Sequence, residues 1–277
     1  VSSSWPAPGD LLRRSGLQAR KSYGQNFLTD RTILDRIAGA AGLSTGDRVL
    51  EIGPGPGGLT TCLLARGLDV LALELDPRMV EHLADAFGSD APLEVRLADA
   101  AGADLDVALV DHRPAAVVGN LPYHVATAIL FRLLEQPEGP PSRMVFMFQW
   151  EVAQRLVSHG GDRVCGVPTV AVGLQCSTRL LMRLPPGAFI PPPRVDSAVV
   201  VLDRRPEPLG TPGQRQAAMV LARAAFGQRR KMMRASLQGI CESPAALLER
   251  AGFAPTVRPE ELVLEDWVRL AAFFEGS

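Results

Sequence analysis

Val49-Leu50-Glu51-Ile52-Gly53-Pro54-Gly55-Pro56-Gly57-Gly58-Leu59-Thr60 reads as a short apolar strand, a glycine-rich turn and the start of a helix. Glycines let the backbone pass close beneath a ligand and supply the positive φ angles of a tight turn. Outward from this stretch the chain alternates short apolar runs with longer amphipathic ones, the pattern of strand and helix units in a parallel sheet. Strands are predicted at 49–52, 70–74, 93–97, 115–118 and 144–149, and helices at 59–66, 78–87 and 126–134, with Pro77 placed to start the second of these. Two further apolar runs, 170–175 and 197–202, are expected to complete the sheet as antiparallel edge strands. A Pro/Gly-rich stretch from Arg204 to Gly213 then changes the character of the chain, and helical segments are expected near 214–226, 229–240, 245–251 and 259–274. The domains expected on this basis are 1–205, carrying the sheet, and 206–277, helical.

The 277 residues, 47% of them hydrophobic, accommodate one large α/β domain and a smaller appendage. No run approaches the ~18 consecutive apolar residues of a spanning helix, and Val1-Ser2-Ser3-Ser4-Trp5-Pro6 lacks the apolar stretch of a secretory signal. A soluble cytoplasmic protein with no membrane association is expected. Cys62, Cys165, Cys176 and Cys241 are scattered without a Cys-x-x-Cys pair or a histidine at ligand spacing, so reduced thiols and no metal are expected. Dispersed histidines likewise offer no Ser/His/Asp triad. The net charge of −1 conceals a division: residues 47–118 hold 13 acids against 5 arginines, whereas residues 204–234 hold 8 basic residues against Glu207 alone. The two regions therefore suit different tasks.

A glycine-rich turn by itself also fits nicotinamide and flavin binders. Glu74, however, ends the second predicted strand where a carboxylate can accept hydrogen bonds from both ribose hydroxyls. Asp99, in Leu97-Ala98-Asp99-Ala100, ends the third, where it can accept from an adenine amine of the same ligand. Acids in both places, with Glu51 before the turn, favour S-adenosyl-L-methionine, whose sulfonium is cationic and which has no phosphates to repel. The plainer reading is that Glu74 and Asp99 cap the helices that follow.

The fourth strand leads into Val118-Gly119-Asn120-Leu121-Pro122-Tyr123. An adenine amine is a poor nucleophile because its lone pair is delocalised into the ring. If the Asn120 side-chain oxygen and the Leu121 or Pro122 backbone carbonyl accept its two hydrogens, the lone pair can turn toward a sulfonium methyl without a strong base. Tyr123 would then stack on a base flipped out of its RNA context.

With these loops, Gly24-Gln25-Asn26-Phe27-Leu28, Phe189-Ile190-Pro191-Pro192-Pro193-Arg194-Val195-Asp196-Ser197-Ala198-Val199 and Phe226-Gly227-Gln228-Arg229-Arg230-Lys231 make the chain resemble the ribosomal small-subunit RNA adenine dimethyltransferases of the KsgA type over nearly its whole length. The resemblance implies an α/β, Rossmann-like S-adenosylmethionine-dependent methyltransferase fold with a small C-terminal helical domain. It implies that Gln25, Asn26, Leu28, Glu51, Gly53, Gly55, Glu74, Asp99 and Asn120 line the cofactor pocket. Phe189 would cover the target base opposite Tyr123, in a catalytic set with Asn120, Leu121 and Pro122. It also implies dimethylation of two adjacent adenines near the 3′ end of ribosomal RNA in an immature small subunit, by a monomer.

Three positions depart from the family pattern: Trp150 stands where lysine is usual, His124 where asparagine is common, and the segment from Cys165 to Val170 replaces one containing tyrosine. They bear on RNA contacts and target choice rather than on methyl transfer. Arg229, Arg230, Lys231 and Arg234 would present a positive face to phosphate, extended by the N-terminal Arg13, Arg14, Arg20 and Lys21. Two other readings stay open: a large-subunit rRNA adenine methyltransferase conferring antibiotic resistance, and a non-catalytic ribosome-assembly factor on the same fold.

Overall fold

The computed structural model describes residues 5–16, 19–20, 23–228 and 230–274. The chain divides into two units, residues 1–153 with 179–203, and residues 154–178 with 204–277. The expected boundary at 205/206 rested on the Pro/Gly-rich linker alone. Residues 154–178 group with the C-terminal helices instead, because their apolar side chains share a core with those helices.

The first unit runs through α1 (Pro8–Ser15), β1 (Phe27–Leu28), α2 (Arg31–Ala40), β2 (Arg48–Ile52), α3 (Gly58–Leu64), β3 (Asp69–Glu74), α4 (Pro77–Phe87), β4 (Leu93–Leu97), α5 (Asp104–His112), β5 (Ala116–Gly119), α6 (Tyr123–Leu134), β6 (Arg143–Gln149), β7 (Cys176–Leu184), β8 (Phe189–Ile190) and β9 (Ser197–Arg204), while α7 (Trp150–Val157) and the start of β7 run across a unit boundary. Among the described residues the main sheet has the order β4-β3-β2-β5-β6-β9-β7, and β1 pairs with β8 in a separate two-stranded ribbon. Parallel pairing joins β2 to β3 and β5, β3 to β4, and β5 to β6; β9 returns antiparallel to β6. The strand order reverses beside β2, and the carboxyl ends on either side of such a reversal form the ligand crevice of an open α/β sheet.

Helices on both faces leave β5 fully buried, with β2, β3 and β6 buried except at their ends, which is why those strands read as continuous apolar runs rather than as alternation. Local chemistry fixes the helix starts. Asp30 accepts from the Thr32 and Ile33 amides to begin α2, and Asp76, followed by Pro77, begins α4. Where an edge strand was expected at 170–175 the chain is helical, in α8 (Val167–Gly173). Pro168 lies in its first turn, and Thr169–Gly173 are buried throughout, so no alternation distinguishes strand from helix there. The edge strand is β7, and 197–202 lies in β9, an interior strand rather than an edge.

The second unit packs α8 with α9 (Pro212–Gly227), α10 (Met233–Ser236), α11 (Pro244–Arg250) and α12 (Leu264–Ala271) around Trp267, Leu221, Leu248 and Leu270. A capping box between Thr211 and Gln214, with Pro212 in the first turn, starts α9. The helix expected over 229–240 shrinks to α10, since Met232 is extended and the Met233 amide donates to Val257 instead of continuing a helix. The one expected over 259–274 breaks at Leu262 and Val263, where the Gly161 amide donates to the Leu262 carbonyl and Val263 bridges to Gly160. No described helix is long and apolar enough to cross a membrane.

Candidate active site

The carboxyl ends of β2, β3, β4 and β5 deliver Glu51, Glu74, Asp99 and Asn120 to one cavity, which the segment from Tyr23 to Leu28 closes on its N-terminal side. The other expected cofactor residues, Gln25, Asn26, Leu28, Gly53 and Gly55, line it too, as do Leu121, Pro122, Tyr123 and His124.

Its glycine-rich floor has strict requirements. Gly55 sits at φ +54° with its amide 3.0 Å from Glu74 Oε2, and a Cβ there would come within 3.0 Å of the Phe27 ring. Gly57, at φ +93°, admits no Cβ because Leu83 and Phe87 already stand 2.8 and 2.9 Å from where it would be. Glu74 Oε1 accepts from the Leu75 and Asp76 amides, so one carboxylate shapes both turns while facing the cavity. The helix that follows is capped by Asp76, so Glu74 organises the turn before it rather than the helix start. Asp99 Oδ1 likewise accepts from Ala101 and remains exposed at the cavity.

Electrostatics distinguish the possible ligands. Three acids and no lysine or arginine line the cavity among the described residues. Glu51 is fully buried with the Thr60 hydroxyl donating to Oε2 at 2.7 Å; burial, reinforced by the neighbouring charge of Glu74, pushes its carboxyl up to about 8. Burial raises Glu74 as well, against the backbone amides that favour its ionised form. A pyrophosphate would meet this acid set with nothing to neutralise it, whereas a cationic sulfonium relieves it. The lining fits S-adenosylmethionine on that ground.

Asn120 is held by a bond that sequence spacing gives no sign of. Its Nδ2 donates to the Asn26 backbone carbonyl at 2.9 Å, and Asn26 Nδ2 closes its own turn onto the Gly24 carbonyl at 3.1 Å. Only the nitrogen of the amide can make the bond to Asn26, so the flip is fixed and Oδ1 is the atom left to accept. The Pro122 carbonyl is already used by the Val125 and Ala126 amides at the start of α6. Of the two candidate backbone acceptors, Leu121 is the one without such a commitment among the described residues. The N-terminal segment is itself latched, with Gln25 Nε2 donating to Asp76 Oδ2 at 3.3 Å and Gln25 Oε1 accepting from the Arg20 amide at 2.8 Å.

The Tyr123 hydroxyl is hydrogen-bonded to Ser197 Oγ at the start of β9, which tethers the ring; burial raises its phenol, so it stays protonated. Ser197 lies within the Phe189–Val199 stretch, and nothing in its spacing from Tyr123 marks the two as partners. Phe189 is not part of the cavity lining: it lies in β8 opposite Leu28, 2% exposed, with its side chain in the unit's apolar core. In this position Phe189 braces the cavity-lining β1, and its contact with a target base is part of the functional proposal. Arg230, Lys231 and Arg234 are exposed in the second unit, and Arg229 and Lys21 lie outside the described residues.

An open, mostly parallel sheet with an acid-lined crevice and an oriented amide at its switch point defines a Rossmann-like methyltransferase. Residues 16–275 match the family model for ribosomal RNA adenine dimethylase. The chain belongs to the ribosomal RNA adenine dimethylase family. It is 44% identical to the ribosomal RNA small subunit methyltransferase A of Xanthobacter autotrophicus over 273 residues, covering 97% of this chain and 94% of the relative. The protein of the same name from Mesorhizobium japonicum is 43% identical over 274 residues, covering 96% of each. Among solved structures, the 23S rRNA methyltransferase ErmE aligns with a TM-score of 0.68 at 30% identity, over 90% of this chain and 99% of ErmE. A dimethyladenosine transferase from Plasmodium falciparum aligns with a TM-score of 0.70 at 25% identity, over 88% and 95% of the two chains.

Proposed function

We propose that the protein transfers methyl groups from S-adenosyl-L-methionine to the amines of two adjacent adenines near the 3′ end of small-subunit ribosomal RNA, acting as a cytoplasmic monomer on an immature small subunit. The orientation of the Asn120 amide carries the chemistry of this reading: with Nδ2 given to Asn26, Oδ1 is free to accept one amine hydrogen and the Leu121 carbonyl the other. When bound, S-adenosylmethionine supplies an electrophilic methyl on a cationic sulfonium. Asn120 and Leu121 then hold the amine with its lone pair directed, and Tyr123, fixed through Ser197, offers a face to the flipped base. Glu51, Glu74 and Asp99 hold the cofactor, and Arg229, Arg230, Lys231 and Arg234 meet RNA phosphates.

The small-subunit target is favoured over the 23S alternative by relatives 43–44% identical over nearly the full chain, against 30% for ErmE. Incubation with labelled S-adenosylmethionine and unmethylated small or large ribosomal subunits, followed by mapping of the modified nucleotides, tests the reading. Label in two adjacent small-subunit adenines is expected. Label confined to large-subunit RNA, or none in either, overturns it.

A further inference from the structure

Trp150, at the carboxyl end of β6, and Arg183, near the end of β7, form a pair of side chains that methyl transfer does not use. Trp150 follows directly on Gln149, and its amide donates to the Asp196 carbonyl at 2.9 Å. The Arg183 guanidinium carbon lies over the Trp150 ring, 4.4 Å from its centroid. Asp196 grips that guanidinium from the side, taking Nε at 2.8 Å and Nη2 at 2.5 Å on the same oxygen. Among the described residues Nη1 has no partner, and the Arg183 side chain is 53% exposed. The result is a flat guanidinium-on-indole stack with one nitrogen edge open.

Its position matters as much as its chemistry. Gln149 pairs with Ser197 in the register of β6 and β9, and Ser197 is the residue that tethers Tyr123. The stack therefore adjoins the strand pair that tethers Tyr123, at the end of the sheet where ligands bind. An adenine drawn out of its stack leaves the adjoining nucleotide without a stacking partner, and an aromatic or guanidinium plane replaces that contact without regard to base identity.

We propose that Trp150 and Arg183 form a docking site for the nucleotide adjoining the target adenine, with the base stacked on the indole–guanidinium surface and its phosphate meeting Arg183 Nη1. Asp196 serves to hold the guanidinium in the plane that makes both contacts available. This rests on the reading of the protein as an rRNA adenine methyltransferase.

The test measures methylation of unmethylated small ribosomal subunits by Trp150→Ala, Trp150→Phe and Arg183→Gln, each checked for folding by thermal melting and for S-adenosylmethionine affinity. Trp150→Ala should raise KM for the particle roughly five- to a hundredfold, in keeping with loss of one base–aromatic stack. Trp150→Phe keeps an aromatic face and should stay within about threefold of wild type. Arg183→Gln should raise KM and reduce the slope of log affinity against log salt by about one. Cofactor affinity should be unchanged in all three. Folded Trp150→Ala and Arg183→Gln proteins with wild-type KM and salt dependence overturn the site and leave the pair as a brace between the ends of β6 and β7. A fall in kcat with KM unchanged overturns it as well, by assigning Trp150 to the support of the catalytic loop. A wild-type protein that methylates no ribosomal RNA instead removes the functional reading on which the site rests.

Discussion

Glu51→Gln isolates the electrostatic strain at the base of the cofactor cavity. Glu51 is 1% exposed, its side chain accepts a hydrogen bond from the Thr60 hydroxyl, and the like charge of Glu74 adds to the cost of ionising it. Its carboxyl rises from 4.5 to about 8 on folding. Between those values the folded protein keeps a proton that the unfolded chain has released, so the free energy of unfolding falls as pH rises through that window and levels off above it. Each pH unit is worth about 1.4 kcal/mol, which sets a ceiling of ~5 kcal/mol across the window. Glutamine retains an acceptor for Thr60 and cannot ionise, so whatever constant penalty it adds is the same at every pH. Chemical denaturation of the ligand-free protein at pH 5, 6, 7 and 8 should therefore show a wild-type stability that declines by a few kcal/mol. The Glu51→Gln protein should decline less, and the remaining slope should come from groups such as Glu74, which burial also raises. S-adenosylmethionine should shrink the wild-type slope, since a cation in this cavity favours the ionised acid. Parallel stability curves for the two proteins over this range would refute the reasoning, because they would mean that Glu51 releases its proton at the same pH folded and unfolded.

Asn120→Ala should lose at least about a hundredfold in single-turnover methylation at saturating cofactor, because the amine acceptor is gone, while particle binding survives; near wild-type turnover would defeat the assignment. Tyr123→Phe and Ser197→Ala each cut the same tether and should be mild and alike, whereas Tyr123→Ala removes the stacking face and should be severe; equal losses in kcat/KM for Phe and Ala at position 123 would put the hydroxyl, not the ring, in the reaction. Replacing Arg229, Arg230, Lys231 and Arg234 with glutamine should leave cofactor affinity unchanged and flatten the salt dependence of particle binding by up to about four units; a folded variant with wild-type salt dependence would show a face that is only solvated.

What the residues announce by themselves is local. The glycine turn at 53–58 declares a ligand-binding strand-to-helix connection because few other sequences tolerate φ angles such as those of Gly55 and Gly57. Glu74, Asp99 and Asn120 could be assigned to one cavity because each follows a strand of a parallel sheet, whose carboxyl ends necessarily share a side. Strands buried on both faces, such as β5, were readable as unbroken apolar runs. The same property misled at 170–175, where an equally unbroken run belongs to a helix: burial on all sides erases the periodicity that separates the two. β7, with Arg179 and Arg183 on its exposed face, carries too little apolar alternation to be noticed as a strand.

Tertiary structure alone decided the contacts between residues far apart in the chain. The Asn26 carbonyl selects which atom of the Asn120 amide faces the ligand, Ser197 holds Tyr123, and the pairing of β8 with β1 withdraws Phe189 into the core. Each of these depends on how closely separate segments approach once the sheet has formed, to within the length of a hydrogen bond. Sequence pattern records which residue types can take part in such contacts; only the packed fold determines which of them meet.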